Sequence, residues 1–255
     1  MGRRKNPNQL TIIEHLSELR GRLIKSVIAL VVGTAIAAGL TFPILRFLKG
    51  PAGDRALVYI DPTELIGTYF KVAIVGGLIL AMPVILYQVA MFIAPGMTSR
   101  EKRYLTAVLP AVVLSFAAGV VFAWFILIPP ALDFLLNFGS SVAEPQIRIS
   151  RYINLILILS FWVGISFQTP LVMLIFARLG IVSPKGFARR RKYAFLGAFV
   201  AGAIVTPTFD PINQTLLASP IFVLYEVGIW LARIASWQRR RAAARSKAGM
   251  IEAGH

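Results

Sequence analysis

Six stretches of the chain run almost without charge, at residues 23–42, 72–93, 105–127, 153–177, 193–205 and 212–232. A helix of roughly 20 residues spans the hydrocarbon layer of about 30 Å. Only a structure that closes its own backbone hydrogen bonds is tolerated there. The pattern therefore predicts an all-α polytopic membrane protein with six transmembrane helices. The last two segments are short. The uncharged run 193–205 has 13 residues, and the run 211–225 has 15. Lys192 and Arg233 flank the pair at interface depths, which favours two short spans over a re-entrant hairpin. Pro83, Pro110, Pro170 and Pro220 fall inside the spans, where each removes a backbone bond and bends its helix. Bent helices suggest a concave scaffold.

The polar intervals set the orientation. With the N-terminus in the cytoplasm, the inner segments hold 21 of the 27 basic residues and the outer ones hold 6. This asymmetry predicts an N-in, C-in arrangement. It also accounts for the net charge of +16 through orientation and contact with anionic lipids, so nucleic acid is not the expected partner. About 22 largely polar residues precede the first span and no small-residue cleavage site follows it, so this span reads as an anchor rather than a cleaved signal.

The outer loops, 43–71 and 131–152, are long and rich in proline, and are expected to fold as caps with short helices. Asp61-Pro62-Thr63-Glu64 reads as a helix start. Residues 1–235 read as a single membrane domain. The basic, alanine-rich tail, 236–255, reads as disordered and cytoplasmic.

Composition narrows the chemistry. Hydrophobic residues make up 57% of the chain and charged ones only 15%, too few to cover a soluble domain of 255 residues. There is no cysteine, which excludes disulfides and thiolate chemistry, and the two histidines, His15 and His255, cannot build a multi-histidine metal site. No glycine-rich phosphate loop, Ser-His-Asp set or HExxH motif is present. No cofactor, no metal and no enzymatic activity are expected.

Three constellations remain. Glu14, His15, Glu18, Arg20 and Arg22 precede the first span, with Glu14 and Glu18 on one helix face. These are either an interfacial helix with internal Glu–Arg pairs or an acidic receptor for a basic ligand, since a carboxylate binds guanidinium bidentately. Phe92 ends the second span, and Glu101 opens the third. Glu101 is either a capping-box residue with Thr98 or a second carboxylate of the same receptor. Within the membrane lie Gln168 in span four, Gln214 and Thr215 at the start of span six near Thr206, Thr208 and Asp210, and Glu226 near its inner end. Such groups either bond helix to helix or dock another subunit's span. Glu226 either pairs with Arg233 or reaches the headgroups.

Several ordered motifs resemble one family. They are His15-Leu16-Ser17-Glu18-Leu19-Arg20-Gly21-Arg22-Leu23, Pro83-Val84-Ile85-Leu86-Tyr87-Gln88, and Phe92-Ile93-Ala94-Pro95-Gly96-Met97 with Glu101. Phe167-Gln168-Thr169-Pro170, Val205-Thr206-Pro207 through Asp210, and Gln214-Thr215-Leu216-Leu217 with Pro220 follow. Over residues 10–235 the chain resembles the TatC family, the polytopic subunit of the twin-arginine protein translocase. The resemblance implies a glove-like six-helix bundle in the bacterial plasma membrane, with short helices five and six. It implies that Glu18 and Glu101 receive the arginine pair of signal peptides on folded cargo, with Arg20 and Phe92 shaping the site. It also implies a multi-copy assembly with TatA- and TatB-type single-span partners, docked through Gln168, Thr206, Asp210, Gln214 and Glu226 among others. Transport would be driven by the proton gradient without nucleotide. One departure is Gln168, where the family often has a glutamate. A glutamine cannot titrate, so a hydrogen-bonding role survives there and a proton relay does not. A small-solute secondary transporter is the alternative, but it calls for inverted repeats and a midplane site that the sequence lacks. A passive scaffold would leave the inner acids unexplained.

Overall fold

A computed structural model describes residues 12–53, 55–94, 98–138, 146–205 and 211–252. Thr206 and Asp210, and the Pro95–Met97 part of the Phe92–Met97 motif, lie outside the described residues. Among the described residues the fold is helical apart from one pair of two-residue strands. Among the described residues five stretches are long and apolar enough to cross a membrane: Ile13–Gly39, Glu64–Ile93, Glu101–Asn137, Ile149–Leu179 and Gln214–Trp237. The fifth apolar segment forms a helix of 15 residues, short of that length. The chain divides into two compact units, at 161/162.

The first unit is built on an antiparallel helix pair. Helix α1 (Ile12–Gly39) lies along α3 (Glu64–Ile93). Small residues let the two backbones meet: a methyl group on Gly33 would stand 2.5 Å from the Gly77 carbonyl oxygen, and one on Gly77 would strike the Thr34 backbone. Ala37, Val72 and Ala73 are buried around this crossing. Between hydrocarbon-soluble helices, close packing of this kind is the main source of association, because lipid tails are as apolar as the side chains they replace. The Tyr69 hydroxyl donates to the Ala38 carbonyl at 2.7 Å, which fixes the register at the far end.

The first outer loop carries a short helix, and a strand pair that the reading of caps with short helices did not include joins the two loops. Helix α2 (Thr41–Lys49) follows α1, and strand β1 (Leu57–Val58) pairs in parallel with β2 (Ile147–Arg148). Helix α3 begins at Glu64, eight residues before the apolar run, because the loop residues ahead of the run continue the helix. The Glu64 side chain, 4% exposed, takes donors from three places: Arg148 Nη2 at 2.9 Å, the Ile60 amide at 3.2 Å, and the amide and hydroxyl of Ser150. One carboxylate thus ties the two long loops together. The hydrogen bond and charge of Glu64 raise the Arg148 guanidinium above its ordinary pKa. Asp61 accepts from the Thr63 hydroxyl and amide, and these bonds hold its carboxyl below the usual range.

Helix α4 (Ser99–Phe122) passes through a π-helical turn, Ala123–Leu127, into α5 (Ile128–Asn137). The apolar run was expected to end at 127. It continues because Pro129 and Pro130 fall in the first turn of α5, where a missing N–H costs nothing. The π turn sets Trp124 on Phe47 of α2, ring centroids 4.2 Å apart.

Helix α6 (Ile149–Ser166) leads to the second unit. Span four is two helices, α6 and α7 (Thr169–Leu179), joined at Phe167–Gln168. The break falls where Pro170 removes an amide donor, and Pro170 occupies the first turn of α7. Gly180, at φ 80°, ends α7 in the left-handed region. Helices α8 (Pro184–Arg189), α9 (Arg191–Val205) and α10 (Pro211–Glu252) complete the unit. Met173, Ala177, Phe187, Ile229, Ala232 and Ala235 form its core. Helix α10 continues well beyond 232, into the tail read as disordered, because alanine, arginine and lysine are all good helix formers.

Candidate functional site

The α1–α3 pairing brings the start of α1 to the end of α3. His15 stacks on Phe92 with ring centroids 4.4 Å apart and planes 15° from parallel. Two α1 turns further, Arg22 Nη1 lies 3.4 Å from Gln88 Oε1. Gln88 itself is buried. Helix α4 opens six residues after α3 ends, so its first turn belongs to the same end of the unit. Direct contacts join His15, Glu18 and Arg22 of α1 to Gln88 and Phe92 of α3, while Thr98 and Glu101 stand at the start of α4.

Glu18 is engaged within its own helix. Its Oε1 accepts from Arg22 Nε at 2.9 Å and from Nη2 at 2.5 Å, while Oε2 faces His15 Nδ1 at 3.9 Å. The spacing of four residues places the two side chains on one face. The internal Glu–Arg pair considered from the sequence is therefore present. Arg22, to which the resemblance assigned no role, is the arginine that touches Glu18, and the 18–22 spacing was the available signal. Arg20 is exposed and points elsewhere: it lines a groove of about 570 Å³ along α1 with Leu16, Leu19, Leu23, Ile24, Val27 and Ile28. Two residues along a helix is a turn of about 200°, which separates Arg20 from Glu18.

Glu101 forms the capping box that Thr98 suggested. Its Oε2 accepts from the Thr98 amide and hydroxyl, each at 2.8 Å, and its own amide donates to Thr98 Oγ1 at 3.4 Å. The box fixes the carboxylate at the positive end of the α4 dipole, a place that favours negative charge.

The remaining predicted positions lie in the second unit. Gln168 stands at the N-cap of α7, half-buried, with its backbone bridging the break. Gln214 Nε2 donates to the Phe199 carbonyl of α9 at 2.9 Å, and Gly202 leaves room for this approach. Glu226 pairs with Arg191 at 2.8 Å, and not with Arg233. Arg191 opens α9 across the helix packing, whereas Arg233 lies further along α10 itself. The adjoining Tyr225 hydroxyl donates to the Phe187 carbonyl at 2.9 Å, which secures α8. Among the described residues no three His, Cys, Asp or Glu side chains are grouped to hold a metal ion.

The family model for the Sec-independent protein translocase protein (TatC) matches residues 14–220. The chain belongs to the TatC family. A relative from Carboxydothermus hydrogenoformans, a Sec-independent protein translocase protein TatC, is 40% identical over 226 residues, covering 88% of this chain and 93% of the relative. The Aquifex aeolicus relative of the same name is 38% identical over 237 residues, covering 91% and 98%. A chloroplastic relative from Arabidopsis thaliana is 37% identical over 89% of this chain and 67% of its own length. Among solved structures, a crystal structure of the twin arginine translocase receptor TatC is similar with a TM-score of 0.80 and 38% identity, over 87% of this chain and 99% of that one. This TatC-family chain is thus a multi-pass helical membrane protein of Sec-independent protein translocation. The TatC match takes in the α1, α3 and α4 residues described above and the α6–α7 break.

Proposed function

We propose that this chain is the receptor subunit of a twin-arginine translocase, binding twin-arginine signal peptides of folded proteins at the cytoplasmic face. It works with other Tat proteins as a transport component rather than an enzyme. Glu18 and Glu101 receive the two guanidinium groups. Phe92, stacked on His15, forms the wall beside Glu18, and Arg20 borders the approach along α1. The observation that carries this reading is the presence of two carboxylates, Glu18 on α1 and Glu101 at the start of α4, among the arginines and lysines of those segments. A carboxylate holds a guanidinium through charge-assisted bonds, roughly twice as strong as neutral ones. The twin arginine translocase receptor named among the similar structures supports it.

The finer topology follows from the same reading. The chain is taken as a six-span, N-in/C-in, glove-like bundle in the bacterial plasma membrane, with the 15-residue α9 as a short span. Single-span TatA/TatB-type partners dock in a multi-copy complex along Gln168, Thr206, Asp210, Gln214 and Glu226, and the proton gradient drives export. Docking at Gln214 or Glu226 exchanges an existing internal bond, to Phe199 or Arg191, for an intermolecular one.

A photo-crosslinking residue placed at 92 tests the site in membranes. Capture of an RR-bearing signal peptide, lost when the pair is KK, is the expected result. Equal capture of both peptides removes the site from this end of the unit.

A further inference from the structure

We infer that Arg22 is a resident occupant of the signal-peptide site, one that an incoming arginine must displace, so that it sets the threshold separating twin-arginine ligands from weaker ones. The inference rests on Glu18 being a receptor carboxylate. All three guanidinium nitrogens of Arg22 are engaged: Nε and Nη2 on Glu18 Oε1, and Nη1 toward Gln88 Oε1. The side chain is only 20% exposed. Arg22 therefore gives Glu18 the same planar donor set that a ligand arginine would bring. A ligand guanidinium at Oε1 takes the place of Arg22, because holding both would set two like charges against one carboxylate.

The exchange favours the resident. Arg22 is on the same helix four residues away, so its effective concentration at Glu18 far exceeds that of a free peptide. A single guanidinium trades one donor set for an equal one and loses on association entropy. A pair of arginines gains a second contact, at Glu101, that Arg22 does not supply, and this tips the exchange. A lysine offers a point charge without the fork and exchanges poorly. Gln88, buried across the α1–α3 interface, gives the displaced Arg22 an acceptor it already faces. His15 also faces Glu18, at 3.9 Å, stacked on Phe92, and Glu14 lies one turn away on the same α1 face.

The test measures equilibrium binding of fluorescent signal peptides carrying RR, KR or KK to the full chain in nanodiscs. The proteins compared are the wild type, Arg22→Gln, Arg22→Lys and Glu18→Gln. Removing the resident is expected to tighten RR binding about two- to fivefold, the range of a partly exposed ion pair. It should also shrink the penalty for KR by a similar factor. Arg22→Lys, which keeps the charge but not the fork, should fall between, and it serves if Arg22→Gln does not fold. Weaker or unchanged RR binding in both Arg22 variants, with Glu18→Gln still weakening it, overturns the inference and leaves the site assignment standing. If Glu18→Gln does not weaken RR binding, the site assignment itself fails.

Discussion

The packing of α1 on α3 positions the α1 and α3 groups of the candidate site, and it should be the point at which a single methyl group does most harm. In Gly77→Ala the added Cβ strikes the Thr34 amide nitrogen, Cα and Oγ1, and in Gly33→Ala it lands 2.5 Å from the Gly77 carbonyl oxygen. Three of those four neighbours are backbone, so no rotamer change relieves them. Reaching an ordinary contact distance requires the helices to part by about 1 Å. Parting them loosens Ala37, Val72 and Ala73, which are buried at the crossing, and stretches the Arg22–Gln88 contact beyond its present 3.4 Å. Overpacking of this kind costs about 1–3 kcal/mol, with the upper end expected where backbone meets backbone. Against it stands the helix-propensity gain of alanine over glycine, about 1 kcal/mol. The net expectation is a loss of about 2 kcal/mol, roughly a thirtyfold change in the folded ratio. Gly67→Ala is the matched control: it lies in the same helix with nothing within 4 Å, so only the propensity gain applies. Reversible unfolding by steric trapping in bicelles should rank Gly67→Ala above wild type and both Gly33→Ala and Gly77→Ala well below it. The double variant should be less than additive, because both changes are relieved by the same separation. If the three single variants behave alike, the close crossing does not exist in the membrane.

Other consequences are smaller and local. Glu64→Ala removes the acceptor shared by Ile60, Arg148 and Ser150, so amide exchange at Ile60 and Ser150 should speed up while exchange in α7–α10 is unchanged. Thr98→Ala breaks the capping box and should cost about 1 kcal/mol of α4 stability. RR-peptide binding should weaken with it, because Glu101 loses its anchor; stability loss with intact binding would separate the cap from the site. Asp61, whose folded pKa lies below the ordinary value, contributes stability at neutral pH that is lost as pH falls through the folded value. The protection factor of the Thr63 amide, with the intrinsic pH dependence of exchange divided out, should therefore be flat across the neutral range and fall on acidification, and Asp61→Asn should abolish that dependence.

The long apolar runs of α1, α3, α4 and α6 were legible because hydrophobicity in a bilayer reports span position directly. Most other element ends were not. The start of α3 at Asp61–Glu64 was readable locally, but the donors that residues 148 and 150 bring to Glu64 were not. The break at Phe167–Gln168 was signalled by Pro170, but a bend and a complete interruption look alike in sequence. At the candidate site, the capping box and the Glu18–Arg22 spacing were both readable, since each depends on residues three or four apart. The His15–Phe92 stack and the Arg22–Gln88 contact were not readable, because they follow from the register of two helices set by Gly33 and Gly77.

The central claim is that two carboxylates read two guanidiniums, and a double-mutant cycle tests it most directly. The affinity of the full chain in nanodiscs is measured for RR and KK peptides, with wild type, Glu18→Gln, Glu101→Gln and the double variant. Direct charge pairing predicts that the RR preference collapses as the carboxylates are removed, with a coupling of about tenfold or more. An RR preference that survives in the double variant would contradict the account.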